Sequence, residues 1–132
     1  SCQDTGITSE IYGQGHPHLY DLAGHTSLED TVDLLSTAAC VVSNDSGLMH
    51  VAAAVSPFVI ALYGSTSPEY NPPLSPRTTI LWEQLECSPC HQRVCPLGHT
   101  NCLNQLSVSR VLNALRQALP KNPASNRLPG AS

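Results

Sequence analysis

Two short apolar runs, Ala38-Ala39-Cys40-Val41-Val42 and Phe58-Val59-Ile60-Ala61-Leu62-Tyr63, are separated by a polar loop and the helix-forming stretch Val51-Ala52-Ala53-Ala54-Val55. Strand, loop, helix and strand in that order form a unit whose two strands must pair in parallel, because the helix carries the chain back along the sheet. The unbroken apolar character of the second run suits a strand covered on both faces. A further strand at His18-Leu19-Tyr20-Asp21-Leu22, followed by a helix, would extend the series. Right-handed crossovers and a doubly wound parallel α/β sheet are therefore expected.

Local signals fill in the remaining elements. Residues 4–15 hold a short helix around Ile7, Ile11 and Tyr12, broken at Gly13-Gln14-Gly15. Thr26 or Ser27 caps the next helix, with Glu29 and Asp30 in the first turn, where acidic side chains are favoured. Leu28, Val32, Leu35 and Ala39 recur at helical spacing and give it an apolar face. Thr78–Glu83 reads as an edge strand. Ser107 or Ser109 starts a last helix with Val108, Val111, Leu112, Leu115 and Leu119 on one side, ending at Pro120. The Pro-, Asn- and Ser-rich residues 121–132 read as a disordered tail.

Ligands of such sheets sit beyond the carboxyl ends of the strands, where the loop Ser43-Asn44-Asp45-Ser46-Gly47-Leu48-Met49-His50 emerges. Free N–H groups at a helix start favour a phosphate, and Gly47 allows close backbone approach. Asp45 adds an acceptor for hydroxyl groups. Asp and Ser are also ordinary helix caps that need no ligand, so the spacing alone fits either reading.

Composition narrows the class. The chain has 132 residues, a formal net charge of -4 and only 12% charged residues, which leaves no footprint for nucleic acid or a polybasic membrane patch. The apolar stretches are too short to span a bilayer, and the N-terminal residues lack the regions of a signal peptide. A cytoplasmic protein is expected, although the first residue is Ser1 rather than Met. Its six cysteines are then reduced thiols or metal ligands rather than disulfides. Cys87, Cys90, Cys95 and Cys102, with His91 and His99 beside them, could close a tetrahedral zinc site or simply pack as free thiols.

Three segments together carry a resemblance. Asp21-Leu22-Ala23-Gly24-His25-Thr26-Ser27-Leu28, Ser43 to Ala54, and Ala61-Leu62-Tyr63-Gly64-Ser65-Thr66-Ser67-Pro68 resemble the lipopolysaccharide heptosyltransferases of glycosyltransferase family 9. Cys87-Ser88-Pro89-Cys90 and Cys95-Pro96-Leu97-Gly98-His99 look most like the heptosyltransferase II branch. The resemblance implies the Rossmann-like C-terminal half of a two-domain GT-B enzyme. Such an enzyme moves heptose, with inversion, from ADP-L-glycero-D-manno-heptose to the lipopolysaccharide inner core, at the cytoplasmic face of the inner membrane and without a cofactor.

By that likeness Asp45 binds heptose hydroxyls, while Ser46, Gly47 and Leu48 present N–H groups to the diphosphate and His50 supports the site. No catalytic residue and no metal ligand is expected in the donor site of this chain. The base would come from an N-terminal acceptor domain that these residues do not resemble. Residues 1–119 would form a partial ADP-heptose-binding domain with a cysteine-rich loop at 87–102, and residues 120–132 its tail. The family's usual first strand and lysine-bearing loop have no counterpart here, Ser56-Pro57-Phe58 stands where many relatives carry Gly-Arg-Pro, and His25 replaces a common lysine. Weaker donor binding and little or no transfer by this chain alone are expected. A non-catalytic nucleotide-binding or zinc-stabilised interaction module is the alternative.

Overall fold

The computed structural model describes residues 5–119. The chain divides into two compact units, Ser1–Leu34 and Leu35–Ser132. The proline expected to end the last helix and the tail after it lie outside the described residues.

In the first unit, helix α1 spans Thr5–Tyr12 and stops where Gly13 N–H bonds to the Ser9 carbonyl at 2.9 Å. The expected strand at His18–Leu22 is absent. Tyr20 and Leu22 are exposed, and no strand among the described residues pairs with them. Instead Asp21 Oδ1 accepts from Ala23 N–H at 3.0 Å and bends the chain locally, as aspartate does in turns. Helix α2, Leu28–Thr37, begins at the predicted cap: Ser27 Oγ accepts from Asp30 N–H at 3.1 Å, and Asp30 Oδ2 accepts from Ser27 N–H at 2.9 Å. This reciprocal pair satisfies two donors that a helix start leaves open. The hydrogen bonds from Ser27 hold the Asp30 carboxyl below its ordinary pKa. The predicted apolar face is only partly covered, since no α2 residue is fully buried and Leu28 is exposed.

The second unit is built on a parallel three-stranded sheet in the order β1 (Val41–Asn44), β2 (Val59–Tyr63), β3 (Thr78–Trp82). Val41 pairs with Val59 and Val59 with Thr78, so the three strands start level and end at one common edge. Alternation along β2 feeds two separate cores. On one face Val59, Ala61 and Tyr63 meet Met49, Ala52 and Ala53 of helix α3, Gly47–Val55. On the other, Ile60 packs with Leu81 and with Ala114 of helix α5, Val108–Ala118. Helices on both faces of a parallel sheet make this an α/β fold of the doubly wound kind. Met49, Val59, Ile60 and Tyr63 are completely buried, so truncating Met49 or Ile60 to Ala would cost about 2–5 kcal/mol.

Helix α5 starts where predicted, with Ser107 Oγ accepting from Arg110 N–H. Its buried stripe is narrower than the sequence implies. Val111, Ala114 and Leu115 reach the core, whereas Val108 and Leu112 face solvent. One element was not expected: the single turn α4, Asn101–Asn104, which sits against the end of β2 within the cysteine-rich segment.

Candidate functional site

The carboxyl edge of the sheet gathers three segments: the β1–α3 loop, the chain leaving β2, and the cysteine-rich loop. Beyond β1, Asp45 N–H donates to the Leu62 carbonyl at 3.1 Å, which carries the sheet pairing one residue further and fixes where the loop begins. Ser46 is then fully extended (φ -158°, ψ 168°) and α3 starts at Gly47. The Ser46 side chain makes no capping bond. The helix start is thus not closed by its own cap residue, unlike those of α2 and α5.

All five residues singled out in the sequence lie at this junction. Asp45 and Ser46 are half-buried, Gly47 and Leu48 are exposed, and His50 is half-buried one turn on. A Cβ added to Gly47 would meet nothing within 4 Å, so the room above the helix start is open and packing does not require the glycine. The Nε2 atom of His50 is sealed from solvent without a hydrogen-bond partner. Such a polar atom costs free energy as it stands.

Sequence reasoning missed two residues of this edge. Asn71 Nδ2 donates to Asp45 Oδ1 at 3.1 Å, and the Tyr63 hydroxyl donates to the Asn71 carbonyl at 2.6 Å. Tyr63 is completely buried, with Met49 Sδ 3.6 Å from its hydroxyl. Burial, and then the Asp45 charge, push its phenol up to about 12. Buried Ser67 shapes the turn between them: its carbonyl accepts from the N–H of Tyr70 and Asn71, and its Oγ from Glu69 N–H. The contacts from Asn71 cross from one loop to another, and no periodicity or motif announces them.

The cysteine-rich loop is fastened to the same edge. Ser88 Oγ donates to the Gly64 carbonyl at 2.6 Å and accepts from Trp82 Nε1 at 3.1 Å, while His91 N–H donates to the Ser65 carbonyl at 2.7 Å. Cys87, Cys90, Cys95 and Cys102 line one cavity of about 120 Å³ together with Ser65 and Arg93. The N–H groups of Thr100, Leu97, His99 and Gly98 point at Cys95 and lower its thiol pKa, whereas burial pushes the Cys40 thiol up. Among the described residues no three His, Cys, Asp or Glu side chains are assembled as metal ligands. No helix among the described residues is long and apolar enough to cross a membrane.

Comparisons with known proteins bear on the family and the fold. The family model described as glycosyltransferase family 9 (heptosyltransferase) matches residues 3–101. Lipooligosaccharide heptosyltransferase 2 of Haemophilus influenzae is 59% identical over 61 residues, which are 46% of this chain and 18% of that protein. Lipopolysaccharide heptosyltransferase 2 of Escherichia coli is 36% identical over 104 residues, 79% of this chain and 30% of the relative. The solved structure of E. coli ADP-heptose LPS heptosyltransferase II superposes with a TM-score of 0.74 at 32% identity, covering 89% of this chain and 34% of that one. The matches therefore cover between 18% and 34% of the length of these relatives.

Proposed function

Because the chain belongs to glycosyltransferase family 9, the heptosyltransferases, we propose that it forms the donor-binding part of an enzyme that transfers heptose from ADP-heptose to the inner core of lipopolysaccharide. The observation that carries this reading is the start of α3. There an uncapped helix terminus under open space lies beside a half-buried carboxylate. The diphosphate lies across the N–H groups of Ser46, Gly47 and Leu48, where the helix dipole favours negative charge. Asp45 accepts from heptose hydroxyls, and His50 supports the site one turn further along α3.

In this role the domain holds the leaving group. As the bond from the sugar to the phosphate breaks, negative charge grows on the departing ADP, and oriented N–H groups stabilise it without reorganisation. Inversion requires an acceptor hydroxyl to attack in line from the opposite face and to lose its proton to a base. With Asp45 given to the donor sugar in this reading, that base belongs to the acceptor half of the enzyme. The reading calls for no cofactor and puts the work on the cytoplasmic side of the inner membrane. Residues 1–119 act as a partial donor domain that needs an acceptor domain for turnover.

Calorimetry with ADP and ADP-heptose tests the reading. Both bind the 132-residue chain, and Asp45→Ala weakens ADP-heptose by about tenfold, one hydrogen-bonded charge being worth roughly 1.5–3 kcal/mol. Absence of binding by either ligand to a folded chain would refute it. Brisk transfer by this chain alone to a heptose-bearing acceptor would refute the dependence on a second domain.

A further inference from the structure

We infer that Asn71, anchored by Tyr63, is a positioning residue that aims the Asp45 carboxylate at the donor sugar. This rests on the reading in which Asp45 accepts from sugar hydroxyls. The side chain of Asn71 is exposed, and an exposed amide on a loop gains little by leaving water for one hydrogen bond. Here, however, its backbone is already fixed. The Tyr63 hydroxyl holds the Asn71 carbonyl at 2.6 Å, and the ring of Tyr63 is locked in the core at the end of β2. The Ser67 carbonyl, 3.3 Å from Asn71 N–H, closes the turn from the other side. With the backbone held at both its N–H and its carbonyl, only the side-chain torsions of Asn71 remain to be set, so the bond to Asp45 costs little further entropy.

The chemistry of an amide suits this task. Its NH₂ can face a carboxylate while its carbonyl cannot, so the contact with Asp45 Oδ1 at 3.1 Å is one-sided. Holding one carboxylate oxygen selects one rotamer of Asp45 and directs the other oxygen. The device acts on the sugar end of the donor and not on the diphosphate, which Ser46, Gly47 and Leu48 take by backbone groups. Asn71 therefore contributes to the preference for ADP-heptose over ADP and not to the affinity for ADP.

The ratio of the two dissociation constants reads this directly, since a fault in folding weakens both ligands alike. Asn71→Ala lowers the preference for ADP-heptose over ADP by about tenfold and leaves ADP binding within about twofold. Tyr63→Phe moves the ratio the same way by roughly threefold, because the Asn71 backbone loses one of its two ties. Asn71→Asp, which sets a second carboxylate against Asp45, lowers it further than Asn71→Ala. The inference is overturned if Asp45→Ala collapses the ratio while Asn71→Ala leaves it unchanged, or if Asn71→Ala weakens ADP and ADP-heptose equally. If Asp45→Ala itself leaves the ratio unchanged, the donor-sugar reading of Asp45 fails, and the role of Asn71 falls with it.

Discussion

A Cβ placed on Gly64 would stand 2.7 Å from Leu103 Cγ and 2.9 Å from its Cδ2. No backbone torsion demands glycine there, so the constraint is contact between the end of β2 and helix α4. Gly64→Ala must displace the branch point of a leucine, not merely its tip, and is expected to cost about 1–3 kcal/mol, the range of overpacking. Thermal unfolding followed by circular dichroism shows this as a lower Tm. Leu103 is half exposed, so trimming it is cheap. The double variant Gly64→Ala with Leu103→Ala should therefore recover most of the loss, a non-additivity that a clash at this contact requires.

Gly47 makes the opposite case. Nothing lies within 4 Å of a Cβ at this position, and the residue opens α3. Gly47→Val consequently leaves stability within about 1 kcal/mol, since at a helix start the propensities of glycine and valine differ little. The branched side chain nevertheless fills the space assigned to the diphosphate. ADP binding should fall at least tenfold in calorimetry while the melting curve hardly moves. Unchanged ADP affinity would mean that the phosphates do not cross the start of α3.

How far the residues announce all this depends on the range of the interaction. Strands β1 and β2 and helix α3 follow from apolar runs and a helical stretch, because burial on one or both faces is written locally. The same logic misleads at His18–Leu22, where Leu19, Tyr20 and Leu22 suggest a short strand but no strand among the described residues pairs with the segment. Asp45 to His50 are legible as a cluster because they are near neighbours in sequence at one strand-to-helix junction. Asn71 and Tyr63 were not, since a bond spanning 26 positions between Asn71 and Asp45 is a product of tertiary folding. The same holds for Ser88, which reads as part of a cysteine motif and turns out to tie Trp82 to Gly64.

Tyr63 should betray its setting at high pH. Its phenol is pushed up to about 12, above the roughly 10 of an unfolded tyrosine, first by burial and then by the Asp45 charge. A raised folded-state pKa contributes stability that is complete below pH ~10 and is lost as pH rises through ~12, because the unfolded chain gives up the proton first. Ultraviolet titration of tyrosinate should show a late step near pH 12 that disappears in Tyr63→Phe. Between pH ~10 and ~12 the unfolding free energy should fall by roughly 1–3 kcal/mol more in the parent than in the phenylalanine variant. Parallel curves for the two proteins would show that the phenol is not sealed.

His50 offers a trade between stability and binding. Its Nε2 is buried on α3 without a partner, an arrangement that costs on the order of 1–3 kcal/mol in the free chain. Among the described residues no hydrogen-bond partner offsets that cost. His50→Leu removes the orphaned atom and brings in a better helix former, so the ligand-free variant should melt higher, by about 0.5–2 kcal/mol in unfolding free energy. Saturating ADP-heptose should reverse the order, stabilising the parent more than the variant, because in the proposed reading His50 supports the donor site and stabilisation grows with affinity. Melting both proteins with and without ADP-heptose decides the matter. If the leucine variant gains as much from the ligand as the parent, His50 is a structural residue and takes no part in holding the donor.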